Sequence, residues 1–186
     1  MIEEKTFINT DFSIEKLSND EYENCVFISC SFSEHSISNI IFRDCQFKEC
    51  NFRETLLNNA TFTEVEFINC KMLGLDFSTC NTLLLSINFR TCNLSFSNFY
   101  QLKLKGITFT DCNLQEINFT ETDLTNAIFN DCDLKQALFE NSILIKTDFR
   151  TAKNFTINPE NNKLKKAKFS SSGLSGLLTK YDIEVE

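Results

Sequence analysis

A bulky apolar residue returns every five positions along this chain, and that period restricts its fold more than any other feature. The first series runs from Phe7 through Phe12, Leu17, Tyr22 and Phe27 to Phe77, with 15 centres. It slips by two residues within Ser78 to Leu83, resumes at Leu84, and continues through 14 centres to Phe149. Of the 20 phenylalanines, all but Phe96, Phe155 and Phe169 sit on these 29 centres. The place two before each centre is held mostly by small or aliphatic residues. Cys25, Cys30, Cys45, Cys50, Cys70, Cys92, Cys112 and Cys132 all fall there, and so does Cys80 if the first phase runs one unit further. A period of five matches neither the 3.6 of a helix nor the 2.0 of a strand. It suits a chain that points two side chains inward, turns a corner and repeats.

Runs such as Cys112-Asn113-Leu114-Gln115-Glu116 and Thr122-Asp123-Leu124-Thr125-Asn126 resemble the pentapeptide-repeat family, and the resemblance spans roughly residues 5–155. It implies an all-β fold, a right-handed quadrilateral β-helix of about seven coils. Four units make one coil, and each centre points inward with the residue two before it. Residues 20 apart then stack at about 4.8 Å, the usual strand spacing. Phe7, Phe27, Phe47 and Phe67 form one such expected ladder. From Leu84 to Phe149, Phe and Leu alternate, which assigns Phe to two opposite faces and Leu to the other two.

Composition narrows the chemistry. One histidine cannot build a multi-histidine metal centre, and 4 glycines leave no usual phosphate-cradling loop. His35 falls in an inward slot with no nucleophile beside it, and reads as a partly buried, hydrogen-bonded side chain. The cysteines stack in rows, whereas a zinc site needs four ligands converging on a point, so they read as small apolar filler. The expectation is a protein that is not an enzyme and has no metal and no cofactor. The N-terminus lacks the basic lead and apolar run of a signal peptide. No run of about 18 apolar residues is present to span a membrane. A cytoplasmic protein with reduced thiols is therefore expected.

The repeat is expected to end near residue 155, leaving 156–186 as a C-terminal segment. Asn158-Pro159 marks a turn. A short serine-capped helix is expected from about Ser172 to Lys180, with Leu174, Leu177, Leu178 and Tyr181 on one face. Ile183 and Val185 alternate with glutamates as a short strand would. A solenoid needs its open end covered, so this segment reads as a cap. In the quinolone-resistance branch of the family such an element also forms a homodimer end to end.

Net charge is −8. The expected outward rows pair Glu34 with Glu54, Asp44 with Glu64, and Asp111 with Asp131. The resemblance to the Qnr-type and mycobacterial branch implies a non-enzymatic DNA mimic, with no direct nucleic-acid partner. Such a protein binds a type II topoisomerase, DNA gyrase or topoisomerase IV, and protects it from quinolones or gyrase-directed toxins. The alternative is a scaffold for an unrelated protein partner, using outward apolar residues such as Ile8, Ile28, Ile68, Phe96 and Tyr100.

Overall fold

The structure, a computed structural model, describes residues 1–15, 17 and 20–184. The chain winds as a parallel, four-sided β-solenoid with 20 residues per regular coil. We number the faces 1 to 4 by the centres they hold. Face 1 carries Tyr22, Phe42 and Phe62, whose strands pair in parallel register. Face 2 holds the longest sheet, seven strands from Thr6–Ile8 to Ile128–Asn130. Faces 3 and 4 are joined by single bridges such as Ser31↔Asn51 and Asn98↔Asn118.

The corners explain the polar positions of the repeat. The residue two after most centres is left-handed: Glu34 at φ 55°, Asn39 at 63°, Asp44 at 51° and Glu49 at 57°. That conformation costs a non-glycine residue roughly 1–2 kcal/mol. Each such residue recovers a backbone hydrogen bond to the next coil, as Glu34 N–H does to the Arg53 carbonyl at 2.9 Å and Asp44 N–H to that of Thr63 at 2.9 Å. We name the four edges A to D, each following the face of the same rank.

Inside, the aromatic ladders form as the period requires. On face 2 the rings of Phe7, Phe27, Phe47, Phe67, Phe89, Phe109, Phe129 and Phe149 stack face to face at 4.7–5.3 Å. After the slip, Phe99, Phe119 and Phe139 stand on face 4, opposite face 2. Lys5 lies over the Phe7 ring at 4.7 Å, placing a cation on the first ring of the column.

The place two before each centre is more than filler. Most of its hydroxyls and thiols donate to a carbonyl of the coil below. Thr55 Oγ1 reaches the Phe32 carbonyl at 2.8 Å and Thr122 Oγ1 that of Phe99 at 2.7 Å, while Cys50 Sγ reaches that of Phe27 at 3.4 Å. Six thiols form one column across the slip, Cys30, Cys50, Cys70, Cys92, Cys112 and Cys132. The join is visible where Cys70 N–H donates to Cys92 Sγ at 3.4 Å. All nine cysteines are buried and free. Burial pushes the Cys45 and Cys80 thiols up to about 12, so they stay protonated at neutral pH. His35 is half-buried in its slot and has no side-chain hydrogen bond among the described residues, contrary to expectation.

The slip lies further along than the sequence suggests. Regular pairing persists to Asn81, whose N–H donates to the Ala60 carbonyl at 2.9 Å; beyond it Val65 pairs with Ile87. The extra residues thus fall between Asn81 and Ser86. Leu84 is not an inward centre: it is 72% exposed, and Leu85 packs against the core instead.

Coil pairing also continues past the expected end at 155. Ile143 bridges Lys163 and Asp148 bridges Lys168. Phe169 stacks on Phe149 at 5.3 Å and 4°, becoming the ninth ring of face 2. Phe155 leans against both at 5.7 and 5.5 Å. The segment over them is 3-10 helix, Ser171–Leu177 and Thr179–Tyr181, with Ser170 Oγ capping Gly173 N–H at 3.1 Å. Residues 182–184 form no strand, and Val185 lies outside the described residues.

One acid-sensitive contact fastens this end. Arg150 binds Asp148 through Nη2 at 2.7 Å and Nε at 3.0 Å, with Lys168 at 3.8 Å. The Arg150 hydrogen bond holds the Asp148 carboxyl below the usual range. A depressed carboxylate stabilises fully above its unfolded value near pH 4, and that contribution disappears as pH falls toward the folded value. Because Arg150 is well exposed, the expected loss is about 0.2–1 kcal/mol between pH 5 and pH 2. Thermal melts of Asp148→Asn should lack this share of the acid slope.

Candidate partner-binding surface

A residue's coil position fixes which way it faces, so the charged surface can be built from the repeat. Edge A carries Glu4, Asn24, Asp44 and Glu64 in the first half, then Gly106, Asn126, Lys146 and Lys166. Edge B carries Ser29, Glu49, Asn69, Thr91, Asp111 and Asp131. Edge C carries Glu34, Glu54, Gly74, Phe96, Glu116 and Gln136, and edge D Asn39, Asn59, Gln101, Glu121 and Asn141. The six carboxylates singled out from sequence are all exposed and each pair does stack. They do not form one surface, because Asp44 and Glu64 stand on edge A, Asp111 and Asp131 on edge B, and Glu34 and Glu54 on edge C.

The side running from edge B through face 3 and edge C to edge D gathers further carboxylates that simple 20-residue pairing missed. Glu49 accepts from Ser29 Oγ at 3.1 Å and Glu121 from Gln101 Nε2 at 2.7 Å, each across one coil. Asp133 on face 3 accepts from Gln115 Nε2 at 2.6 Å and Asn154 Nδ2 at 2.8 Å. Burial alone would raise its carboxyl, but these two hydrogen bonds, with the Lys135 N–H and charge, outweigh it and hold Asp133 below the usual range. Of the six residues, only Glu54 has an ion pair among the described residues, with Arg53 at 3.0 Å. Neutral groups, rather than cations, hold Glu64, Glu49 and Glu121, while Glu34, Asp44, Asp111 and Asp131 have no side-chain hydrogen bond to their carboxylates among the described residues. The signal that finds this side is the left-handed corner two places after each centre.

The opposite side differs. Around edge A in the last coils stand Lys103, Lys105, Lys146, Lys163, Lys165, Lys166 and Lys168, partly offset by Asp123 and Asp148. Charge is therefore segregated along edge A, whereas face 3 on the other side carries Lys71 and Lys153 among its carboxylates. Apolar residues interrupt both sides. Phe96 and Leu73 lie exposed at edge C, Tyr100 on face 4, and Leu83 and Leu84 at edge A. Ile8, Ile28 and Ile68 share one row as expected, but Lys48 divides it.

Of the C-terminal residues assigned to dimerisation, Leu177 packs on the core and Leu178 is half-buried, whereas Leu174, Tyr181 and Ile183 are exposed. No three or more His, Cys, Asp or Glu among the described residues converge as a metal site. No described helix is long and apolar enough to cross a membrane.

This geometry matches known proteins in fold. A family model described as pentapeptide repeat region matches residues 20–88 and 83–176. No curated protein sequence matches the chain. Two solved structures of trypsin-treated variants of QnrB1, a plasmid-mediated fluoroquinolone resistance protein, each align with 100% of this chain at 19% identity. The alignments cover 99% and 97% of those chains, with TM-scores of 0.51 and 0.52. The family match covers most of the length and falls on the same residues that build the coils. The chain belongs to the pentapeptide-repeat family.

Proposed function

We propose that the B–C–D side is a DNA-like polyanionic surface that occupies the DNA-binding site of a type II topoisomerase, DNA gyrase or topoisomerase IV. In that position it protects the enzyme from quinolones or gyrase-directed toxins. The observation that carries this reading is one side of a stiff rod lined with carboxylates at coil spacing, most of them in no ion pair among the described residues. Duplex DNA carries one charge per about 1.7 Å of axis. This surface is sparser, so binding should rest on fewer ion contacts and show a shallower salt dependence than DNA. The test is a gyrase supercoiling assay with a fluoroquinolone present. Micromolar protein should restore supercoiling, and the variant Asp111→Asn/Asp131→Asn/Glu116→Gln should lose most of that protection while keeping its fold. Absence of protection by the unaltered protein contradicts the reading.

A second reading, a scaffold for another protein, draws on Phe96, 56% exposed at edge C together with Leu73, 43% exposed. Loss of partner binding in Phe96→Ala, with the acidic variant unaffected, selects it.

A further inference from the structure

Edge A has an order that the DNA-like side does not use. Read from the first coil to the last it is acidic, then apolar, then basic. Glu3 and Glu4 stand at one end, with Asp44 and Glu64 following. The bulge between Asn81 and Ser86 comes at mid-length, with Leu83 and Leu84 each 72% exposed. It is held on this edge by Thr63 Oγ1, which donates to the Leu84 carbonyl at 3.3 Å, and by Ser86 Oγ, which donates to Glu64 at 2.9 Å. Lys103 and Lys105 follow, then Lys146, and Lys165 and Lys166 close the row. Of these lysines only Lys105 has a carboxylate within ion-pair distance among the described residues, Asp123 at 3.4 Å.

We propose that edge A is a self-association surface, on which a second copy of this chain lies alongside and antiparallel. The two-fold axis passes through the Leu83–Leu84 bulge. A two-fold interface must be self-complementary, with residue i facing j and j facing i. Counting coils outward from the bulge, the coil of Glu64 faces that of Lys105, and the coil of Glu4 faces that of Lys166. Acid meets base in these innermost and outermost coils, Asp44 faces Asn126 and Asn24 faces Lys146 between them, and leucine meets leucine on the axis. Because both rods rise by the same strand spacing of about 4.8 Å per coil, one matched pair brings the others into step. A parallel arrangement would set acid against acid and base against base. The pairing leaves the B–C–D sides of both copies facing outward, so it stands or falls independently of topoisomerase binding.

Sedimentation equilibrium tests this. The chain is 21.5 kDa, and the unaltered protein should sediment at twice that mass at low ionic strength and dissociate as salt is raised. Leu83→Ser/Leu84→Ser, at exposed sites that leave the core intact, should give a monomer. Lys166→Glu should weaken the dimer by about tenfold or more, a loss of about 1.4 kcal/mol. Adding Glu4→Lys to it should restore the dimer, because the pair is exchanged across the axis. A monomer at about 100 μM unaltered protein overturns the proposal. So does a dimer that survives the leucine changes but is lost on Leu174→Ser/Tyr181→Ser, which would place contact at the C-terminal end. Failure of the charge exchange to rescue assembly overturns the antiparallel register.

Discussion

Phe89→Ala is expected to destabilise the protein by about 3–5 kcal/mol, the range for emptying a buried aromatic site. Its ring stacks between Phe67 and Phe109 at 5.3 Å each and meets Phe77 and Phe99 edge-on at 5.7 and 6.1 Å. Truncation removes all four contacts at the first coil after the slip. In a solenoid each coil is held by its neighbours alone, so the cavity weakens the junction between the two halves. Urea unfolding should show a lower midpoint, and the single transition should broaden as the halves uncouple. Phe7→Ala, at a half-buried end ring, should cost far less. Equal losses at the two sites would show that the ladder does not carry the stability assigned to it.

Gly176→Ala is expected to unseat the C-terminal cap, at about 1–3 kcal/mol of overpacking. A β-carbon at Gly176 would collide with the backbone carbonyl of Phe155 and press on its ring. The same turn accepts Ile157 N–H at the Gly176 carbonyl, 3.0 Å away. Backbone cannot yield there without lifting the helix from the Phe149–Phe155–Phe169 cluster. Gly173→Ala meets only the Phe155 ring edge at 2.9 Å and the Ser170 hydroxyl at 3.1 Å, both of which can shift, and should cost less. Amide exchange should accelerate in residues 152–178 of Gly176→Ala and remain unchanged on face 2 before Phe109. Uniform acceleration along the chain would contradict a locally held cap.

Most of the fold was legible because its rule is local and repeated. Five-residue spacing fixes what points inward, and 20-residue stacking follows from four corners per coil. Even the alternation of Phe and Leu after the slip translates directly into opposite faces. The sites that escaped the rule are those where contacts replace spacing. Leu84 continues the numerical series, yet the strained bulge seats Leu85 in its place. Phe155 stands one residue out of phase ahead of the turn at Asn158-Pro159, whereas Phe169, 20 residues after Phe149, keeps the phase beyond that turn and rejoins the column. The acidic rows were legible as stacks but not as a surface. A stack follows from residue difference alone, whereas its side depends on which corner it follows, and the slip shifts that assignment by two residues.

Direct competition with DNA is the measurement closest to the central claim. Gyrase bound to a fluorescent duplex should release it as this protein is added, with anisotropy falling to the free-DNA value and release weakening as salt rises. Asp111→Asn/Asp131→Asn/Glu116→Gln should need at least tenfold more protein to reach the same release. Binding of the protein to gyrase with the duplex still fully bound would contradict the claim that its B–C–D side stands in for DNA.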